Sequence, residues 1–317
     1  MMVSVLTTPA KGQCGCQSRW LRRLLWPAIW STARLLPRNQ LVVLAYHQIA
    51  PEFEPGQHFP SAWTSCSLFY NEIRALGRSF PFMRLSDALR GLREQTLRGT
   101  VVALTFDDGH ASVQQHVVPF LAAHGIPASF FINSKYIGNC ECAPELACVY
   151  WRRAADGDSG ARTRAQQISL AELRNTNSPA IYWKLVRQIE ALGPPRQHST
   201  LNMEFLNSLD PSLFEIGLHG HQHHRFSMMS ETQRRKDLEE NICAMSSLPG
   251  YRPIFAMPYG KPHDWDREAI AMCLGMGLDV CLANGGVNRY GDLLVQRMGA
   301  NSLGNLKRWI VKESLMI

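Results

Sequence analysis

From residue 41 onward, short apolar runs alternate with amphipathic stretches of helical length, and few architectures accommodate that pattern. It is the signature of a parallel sheet whose strands are joined by helical crossovers. The expected strands are 41–46, 80–85, 101–106, 128–133, 214–219, 253–258, 278–283 and 294–298. Between them helices are expected over 66–79, 111–124, 230–246 and 266–276. Seven or eight strands over roughly 260 residues match a single α/β unit, an irregular (β/α)7-8 barrel. One interval breaks the rhythm: residues 138–212 hold an Asp-Gly-Asp-Ser-Gly run and no clear strand. Connections that long build lids, binding surfaces or disordered loops, and this one reads as a helical insertion above the barrel mouth.

Charge is distributed unevenly. Of 33 Lys and Arg set against 26 Asp and Glu, Lys11, Arg19, Arg22, Arg23, Arg34 and Arg38 fall within residues 1–40, which contain no acid. The remainder is close to neutral. A nucleic-acid enzyme carries a basic stripe in its folded part, so no nucleic-acid partner is expected. Residues 1–40 thus form a basic, Trp- and Leu-rich arm ahead of a domain spanning 41–317. Pro27 and Arg34 interrupt its apolar stretch and no clean cleavage site follows, unlike a secretory signal. It is also too short and too charged to span a bilayer. Two readings stay open: an interfacial helix making peripheral membrane contact on anionic lipid, or an arm docking its Trp face on the domain. The expected location is cytoplasmic, at most peripheral to the inner membrane. Nine cysteines, an odd count without zinc-ligand spacing, read as free thiols in a reducing compartment.

In a parallel barrel, functional groups collect where strands end and loops begin. Leu104-Thr105-Phe106-Asp107-Asp108-Gly109 runs a strand into two adjacent carboxylates and a glycine. Such neighbours repel unless a cation or proton intervenes; a metal would let one ligate while the other stays free as a base. Gly109 permits the sharp turn that lets both face one site, although Asp and Gly are also ordinary turn residues. A second strand runs through Phe214-Glu215-Ile216-Gly217-Leu218 into His219-Gly220-His221-Gln222-His223-His224. His219 and His223 share a face in an extended or a helical chain, so they can converge on one ion. His221 joins them only if the segment stays extended, and His224 faces elsewhere. Two histidines and a carboxylate recur as the ligand set of catalytic zinc with positions open to water. At Phe255-Ala256-Met257-Pro258-Tyr259-Gly260 a strand enters a turn whose exposed N–H, at Tyr259, could stabilise an oxyanion. Leu44-Ala45-Tyr46-His47 ends the first strand in a lone histidine, which packing alone would explain.

Together these segments resemble the polysaccharide deacetylases of carbohydrate esterase family 4, with their NodB homology domain, over about residues 41–300. Asp107-Asp108 matches the first motif. His219 and His223 match the second, a His-x-x-x-His pattern with Gly220 where Ser or Thr is common. Residues 255–260 correspond to the third, without its usual arginines: Pro253 and Ala256 stand there. The resemblance implies Asp107 as general base and Asp108, His219 and His223 as ligands of a divalent ion, with zinc expected. No histidine follows His263, so the family's C-terminal Leu-x-His motif, source of its general acid, is missing. Members similar to the poly-N-acetylglucosamine deacetylases of biofilm formation place that strand first, as a circular permutation. Leu44-Ala45-Tyr46-His47 resembles the relocated motif, which makes His47 the implied acid.

The implied activity is metal-dependent hydrolysis of N-acetyl groups on amino sugars of a bacterial polysaccharide or exopolysaccharide. The partner would be an N-acetylated glycan and the product acetate. The missing arginines leave open a catalytically inactive module that binds glycan or membrane. Action on another amide is the nearer alternative.

Overall fold

The computed structural model describes residues 39–53, 62–138, 141–153, 159–194 and 200–299; the expected arm, save its last two residues, lies outside them. Its strands are β1 (Gln40–Tyr46), β2 (Gln48–Ala50), β3 (Trp63–Ser65), β4 (Thr100–Phe106), β5 (Ala128–Ile132), β6 (Phe214–Leu218), β7 (Tyr251–Ala256), β8 (Asp279–Leu282) and β9 (Val295–Gly299). Seven of them close into one parallel barrel in the order β1-β4-β5-β6-β7-β8-β9, with β9 returning to β1. β2 and β3 form a separate parallel pair beside the end of β1.

Strand periodicity divides the apolar residues into two layers. Leu41, Val43, Val101, Ala103, Phe131, Ile254, Ala256, Cys281 and Val295 fill the barrel interior. Their alternates Val42, Leu44, Val102, Leu104, Phe130, Ile216, Leu218 and Phe255 pack outward under the helices. Around the barrel lie α1 (Cys66–Gly77), α2 (Leu85–Arg93), α3 (Val118–Ala123), α9 (Glu231–Met245) and α10 (Arg267–Gly275). α2 contributes Leu85, Ala88, Leu89 and Leu92 to the interior cluster and so covers one end of the barrel. α9 begins in a reciprocal capping box between Ser230 and Gln233, and α10 is capped by Asp266.

Two expected elements differ. The apolar run over 80–85 is no barrel strand: Phe82 makes one isolated bridge to Val102, and a helix starts at Leu85. Pro81 accepts from Val102 N–H and Met83 N–H returns a bond to Val102, but proline has no N–H to extend the ladder. That short bridge lies against the half of β4 that β5 leaves unpaired, since β5 pairs only at Thr105 and Phe106. The expected helix over 111–124 opens instead as a π-helical turn, Val113–Val117, before α3. Pro119 in the first turn of α3 lacks the donor an unbroken α-helix would need there.

The interval after β5 is helical, as its composition suggested. It holds α4 (Pro144–Arg153), α5 (Ser159–Gln167), α6 (Leu170–Asn175), α7 (Pro179–Glu190) and α8 (Met203–Ser208). α4 to α7 share their own hydrophobic cluster, built on Cys148, Tyr150, Trp151, Leu173, Tyr182, Val186 and Ile189. Among the described residues no helix is long and apolar enough to cross a membrane.

The inward column of β6 is Glu215, Gly217 and then His219. Gly217 is glycine because the Phe131 ring occupies its side-chain space: a Cβ would sit 2.4 Å from that ring and 2.9 Å from the Ile254 carbonyl oxygen. Gly217→Ala should therefore lower the stability of the folded chain by about 1–3 kcal/mol through overpacking, read as a shifted urea midpoint at unchanged m.

Candidate active site

The same alternation that builds the core delivers the site. In β1, β4, β6 and β9 the inward positions continue to His47, Asp107, His219 and Arg297, so four polar side chains reach the barrel mouth. Asp107 N–H donates to the Tyr46 carbonyl, carrying the β1–β4 ladder to the site itself. Asp108, His223 and Tyr259 join them through turns rather than strands, with φ of 71°, 55° and 60°. That left-handed region is costly for residues with a side chain, and such positions gather where surroundings over-determine them.

The surroundings here are specific. α9 presents Asp237 and Asn241 one turn apart to the loop after β6. Asp237 accepts from His221 and Gln222 N–H, and Asn241 accepts from His219 N–H while donating to the Ile132 carbonyl. Gly220, with φ of 77°, would bring a Cβ within 2.8 Å of the Asp237 carboxylate, which explains glycine at that position. Neither clamp residue was legible as a site residue in the sequence, because both lie on the buried face of a distant helix.

Asp108, His219 and His223 converge, each offering a ligand atom within 4.8 Å of the others. His219 Nε2 and His223 Nε2 both lie 3.4 Å from Asp108 Oδ1. His219 Nδ1 is 2.8 Å from the Ala256 carbonyl oxygen and must donate to it, which leaves Nε2 as a lone pair facing the carboxylate. Asp108 Oδ1 is buried without a hydrogen bond of good geometry. Electron pairs crowded in this way fit a divalent cation, and an imidazole fixed through its other nitrogen is the usual support for one. Burial opposes charge on Asp108, yet the imidazoles of His219, His223 and His47 hold its carboxyl far below the usual range. Burial pushes His223 down to about 4, so its ring is neutral and free to ligate near pH 7. Burial works against charge on His219 too, but Asp107 and Asp108 raise it, the sign expected where positive charge is wanted.

Asp107 stands beside this cluster, not in it. Its Oδ1 and Oδ2 accept from Arg297 Nη1 and Nη2 at 2.7 and 2.9 Å, a buried two-pronged pair. His47 Nε2 lies 3.8 Å and His219 Nε2 4.0 Å from Oδ2. Burial would raise the Asp107 carboxyl, but Arg297, His219 and His47 outweigh it and keep the group ionised. The arginine that pairs with Asp107 thus comes from β9, not from the turn at residues 253–260. Nothing in the sequence of that short strand set this arginine apart, because its partner lies 190 residues away.

Tyr259 lays its ring 4.7 Å from that of His223. Among the described residues no protein group accepts its backbone N–H. The other candidate histidines, His221, His224, His110 and His263, are held away from the cluster. His221 turns to Ser134 Oγ at 2.9 Å, and His224 is buried against Tyr182 and Trp183. His110 bonds Ser112, and His263 lies 3.4 Å from Asp264.

The ion pair is open to a direct test. Arg297→Met strands a buried carboxylate, so stability should fall by about 3–5 kcal/mol in urea unfolding at neutral pH. Asp107 is depressed in the folded state, so its stabilisation is complete above the unfolded carboxyl pKa of about 4 and fades as pH falls below it. In Arg297→Met that loss on acidification should shrink.

Comparison with known proteins agrees with this picture. The polysaccharide deacetylase family model matches residues 94–280, more than half of the chain. No curated protein matches it by sequence. Among solved structures it is similar to IcaB from Ammonifex degensii (20% identity, TM-score 0.55, covering 86% of this chain and 97% of that one). It is also similar to the Streptococcus pyogenes deacetylase PplD in complex with acetate (14% identity, TM-score 0.53, covering 85% and 97%). BC0361, a polysaccharide deacetylase from Bacillus cereus, aligns at 12% identity and TM-score 0.55 over 86% of this chain and 69% of its own. These likenesses are of fold. With the family match, the barrel and the residues at its mouth, the chain belongs to the polysaccharide deacetylases, hydrolases of amide bonds with the NodB homology fold.

Proposed function

We propose that this protein removes N-acetyl groups from amino sugars of a bacterial polysaccharide, releasing acetate, with a divalent ion, zinc, held by Asp108, His219 and His223. The observation that carries this reading is the division of labour between the two adjacent aspartates. Asp108 faces two imidazole lone pairs, whereas Asp107 is held by Arg297 with Oδ2 toward His47. A bound ion would supply Lewis acidity toward the amide carbonyl and the attacking water. The remaining work falls to the chain itself. Asp107, ionised and fixed by its arginine, takes a proton from the water. The Tyr259 backbone N–H, in a left-handed turn, donates to the developing oxyanion. His47, protonated, gives its proton to the departing amine from beside Asp107. The buried barrel interior beneath these groups, where Arg297 lies over the Phe131 ring, keeps their electrostatics strong.

Purified protein should contain zinc and release acetate from N-acetylglucosamine oligomers. Chelation should abolish turnover, and added zinc should restore it. Asp107→Asn should cut kcat by roughly 10²–10⁴-fold with metal content retained. His47→Ala should behave alike, while Asp108→Ala, His219→Ala and His223→Ala should each empty the site. His221→Ala, whose ring is turned to Ser134, should keep its metal. A zinc-loaded chain that spares every amino-sugar acetamide but cleaves another amide would refute the substrate assignment.

A further inference from the structure

A fully buried cation ties the helical insertion to the barrel mouth. Arg225, in the loop after β6, is 1% exposed. Its guanidinium donates to four acceptors from two other parts of the chain. Nη1 reaches the Leu173 and Thr176 carbonyls at 3.4 and 2.8 Å, at the C-terminal end of α6 where a helix leaves its carbonyls open. Nε donates to Asp264 Oδ1 and Nη2 to the His263 carbonyl, each at 2.9 Å, in the segment after β7. The Arg225 backbone N–H adds a further bond, to the Tyr182 hydroxyl of α7 at 3.2 Å.

Asp264, itself buried, passes this hold to the turn that carries Tyr259. Its Oδ2 accepts from Lys261 N–H at 2.9 Å, and its own N–H donates to the Lys261 carbonyl at 2.9 Å. Lys261 directly follows Gly260, so the turn through Pro258, Tyr259 and Gly260 is pinned where it ends. A second hold comes from Ala283 N–H, just past β8, which donates to the Gly260 carbonyl at 2.9 Å. A buried ion pair is seldom better for stability than apolar side chains of the same volume. What Arg225 and Asp264 add is direction: fixed bonds from the insertion, through the loop after β6, to the turn after β7.

We infer that Arg225 is a positioning residue for the oxyanion donor: through Asp264 it sets the turn bearing the Tyr259 backbone N–H, and it braces that turn against the insertion. This rests on the reading of that N–H as donor to the oxyanion. Outright loss of such a donor costs about 10²–10³-fold in kcat. Loosening the turn while Ala283 still holds it should cost less, roughly 10–100-fold.

The test compares wild type, Arg225→Met, Arg225→Lys and Trp183→Phe as full-length, zinc-loaded protein, with acetate release expressed per bound zinc. Beside kcat and KM for N-acetylglucosamine oligomers, it reads the Ki of an oligomer carrying a methylphosphonamidate in place of one acetamide. That tetrahedral group sets an oxygen where the oxyanion forms. Arg225→Met should lower kcat and weaken the analogue in parallel, by roughly 10–100-fold, with KM within about twofold, because the contact is made in the transition state. Arg225→Lys keeps a cation for Asp264 without the fork that reaches the carbonyls, so it should recover part of both losses. It carries the test if Arg225→Met does not fold. Trp183→Phe removes another bond from the insertion to the same loop, the indole N–H donated to the Met228 carbonyl at 2.8 Å. It should lower Tm yet leave kcat and the analogue's Ki within about twofold. Unchanged kcat per zinc in the Arg225 variants, a loss confined to KM, or an equal loss in Trp183→Phe would overturn the inference and leave the proposed function standing. A wild-type chain that releases no acetate, or that binds the analogue no more tightly than the substrate oligomer, would overturn the oxyanion reading and this inference with it.

Discussion

The buried pair between Arg297 and Asp107 is the contact on which the mouth of this barrel depends. It joins β9 to the end of β4 across the intervening β1, so it locks three strands that backbone bonds alone hold only pairwise. Withdrawing both charges from water costs several kcal/mol per ion, recovered only when the geometry is good and the remaining donors are used. Both Nη groups are used, Nη1 also reaches Thr105 Oγ1, and the cation lies 5.2 Å from the Phe131 ring centre, while Nε stays buried without a partner. Phe131 in turn fills the room left by Gly217, one inward step below His219. The alignment of the site is therefore a packing result as much as an electrostatic one.

That pairing sets a chemical compromise. An aspartate clamped by arginine is ionised at any working pH and cannot swing away, but its affinity for a proton is low. A base is most effective when its pKa lies near the operating pH. In the proposed reaction the deficit is offset from the other side, because a water made acidic by an adjacent cation needs only a weak base. Asp107 and Asp108 thus make sense as a pair: one raises the acidity of the water by holding the cation, and the other keeps a fixed acceptor beside it.

How much of this was legible in sequence follows from the range over which each feature acts. The Asp107-Asp108 and His219/His223 groups were legible because each ends a strand, and period two carries the last residue inward. His47 was legible only through the resemblance to permuted members of the family, because a lone histidine at a strand end carries no meaning by itself. Arg297 was not, since its meaning lies in a partner 190 residues away, and a single arginine in a strand resembles an edge residue. Asp237 and Asn241 escaped for the same reason: their contacts are made through a helix folding back from another part of the chain. The failed strand over 80–85 and the π-helical turn before α3 show the opposite limit. In both, an apolar pattern was read correctly as buried, and a proline changed the hydrogen bonding that pattern could use.

The alternation that places His47, Asp107, His219 and Arg297 inward has a consequence for how this protein can change over generations. Side chains at the mouth tolerate chemistry-preserving replacement one at a time, but their strands do not tolerate a change in length. Removing one residue from β4 or β6 would rotate every later side chain of that strand to the opposite face. Asp107 would then lie beneath a helix and an apolar neighbour would occupy its place, with no residue of the site altered in kind. The helical interval after β5 carries no such parity, because its hold on the mouth is made by side chains reaching in from a separately packed cluster. Lineages of this barrel should accordingly record insertions and deletions there and in the outer loops, while strand lengths stay constant.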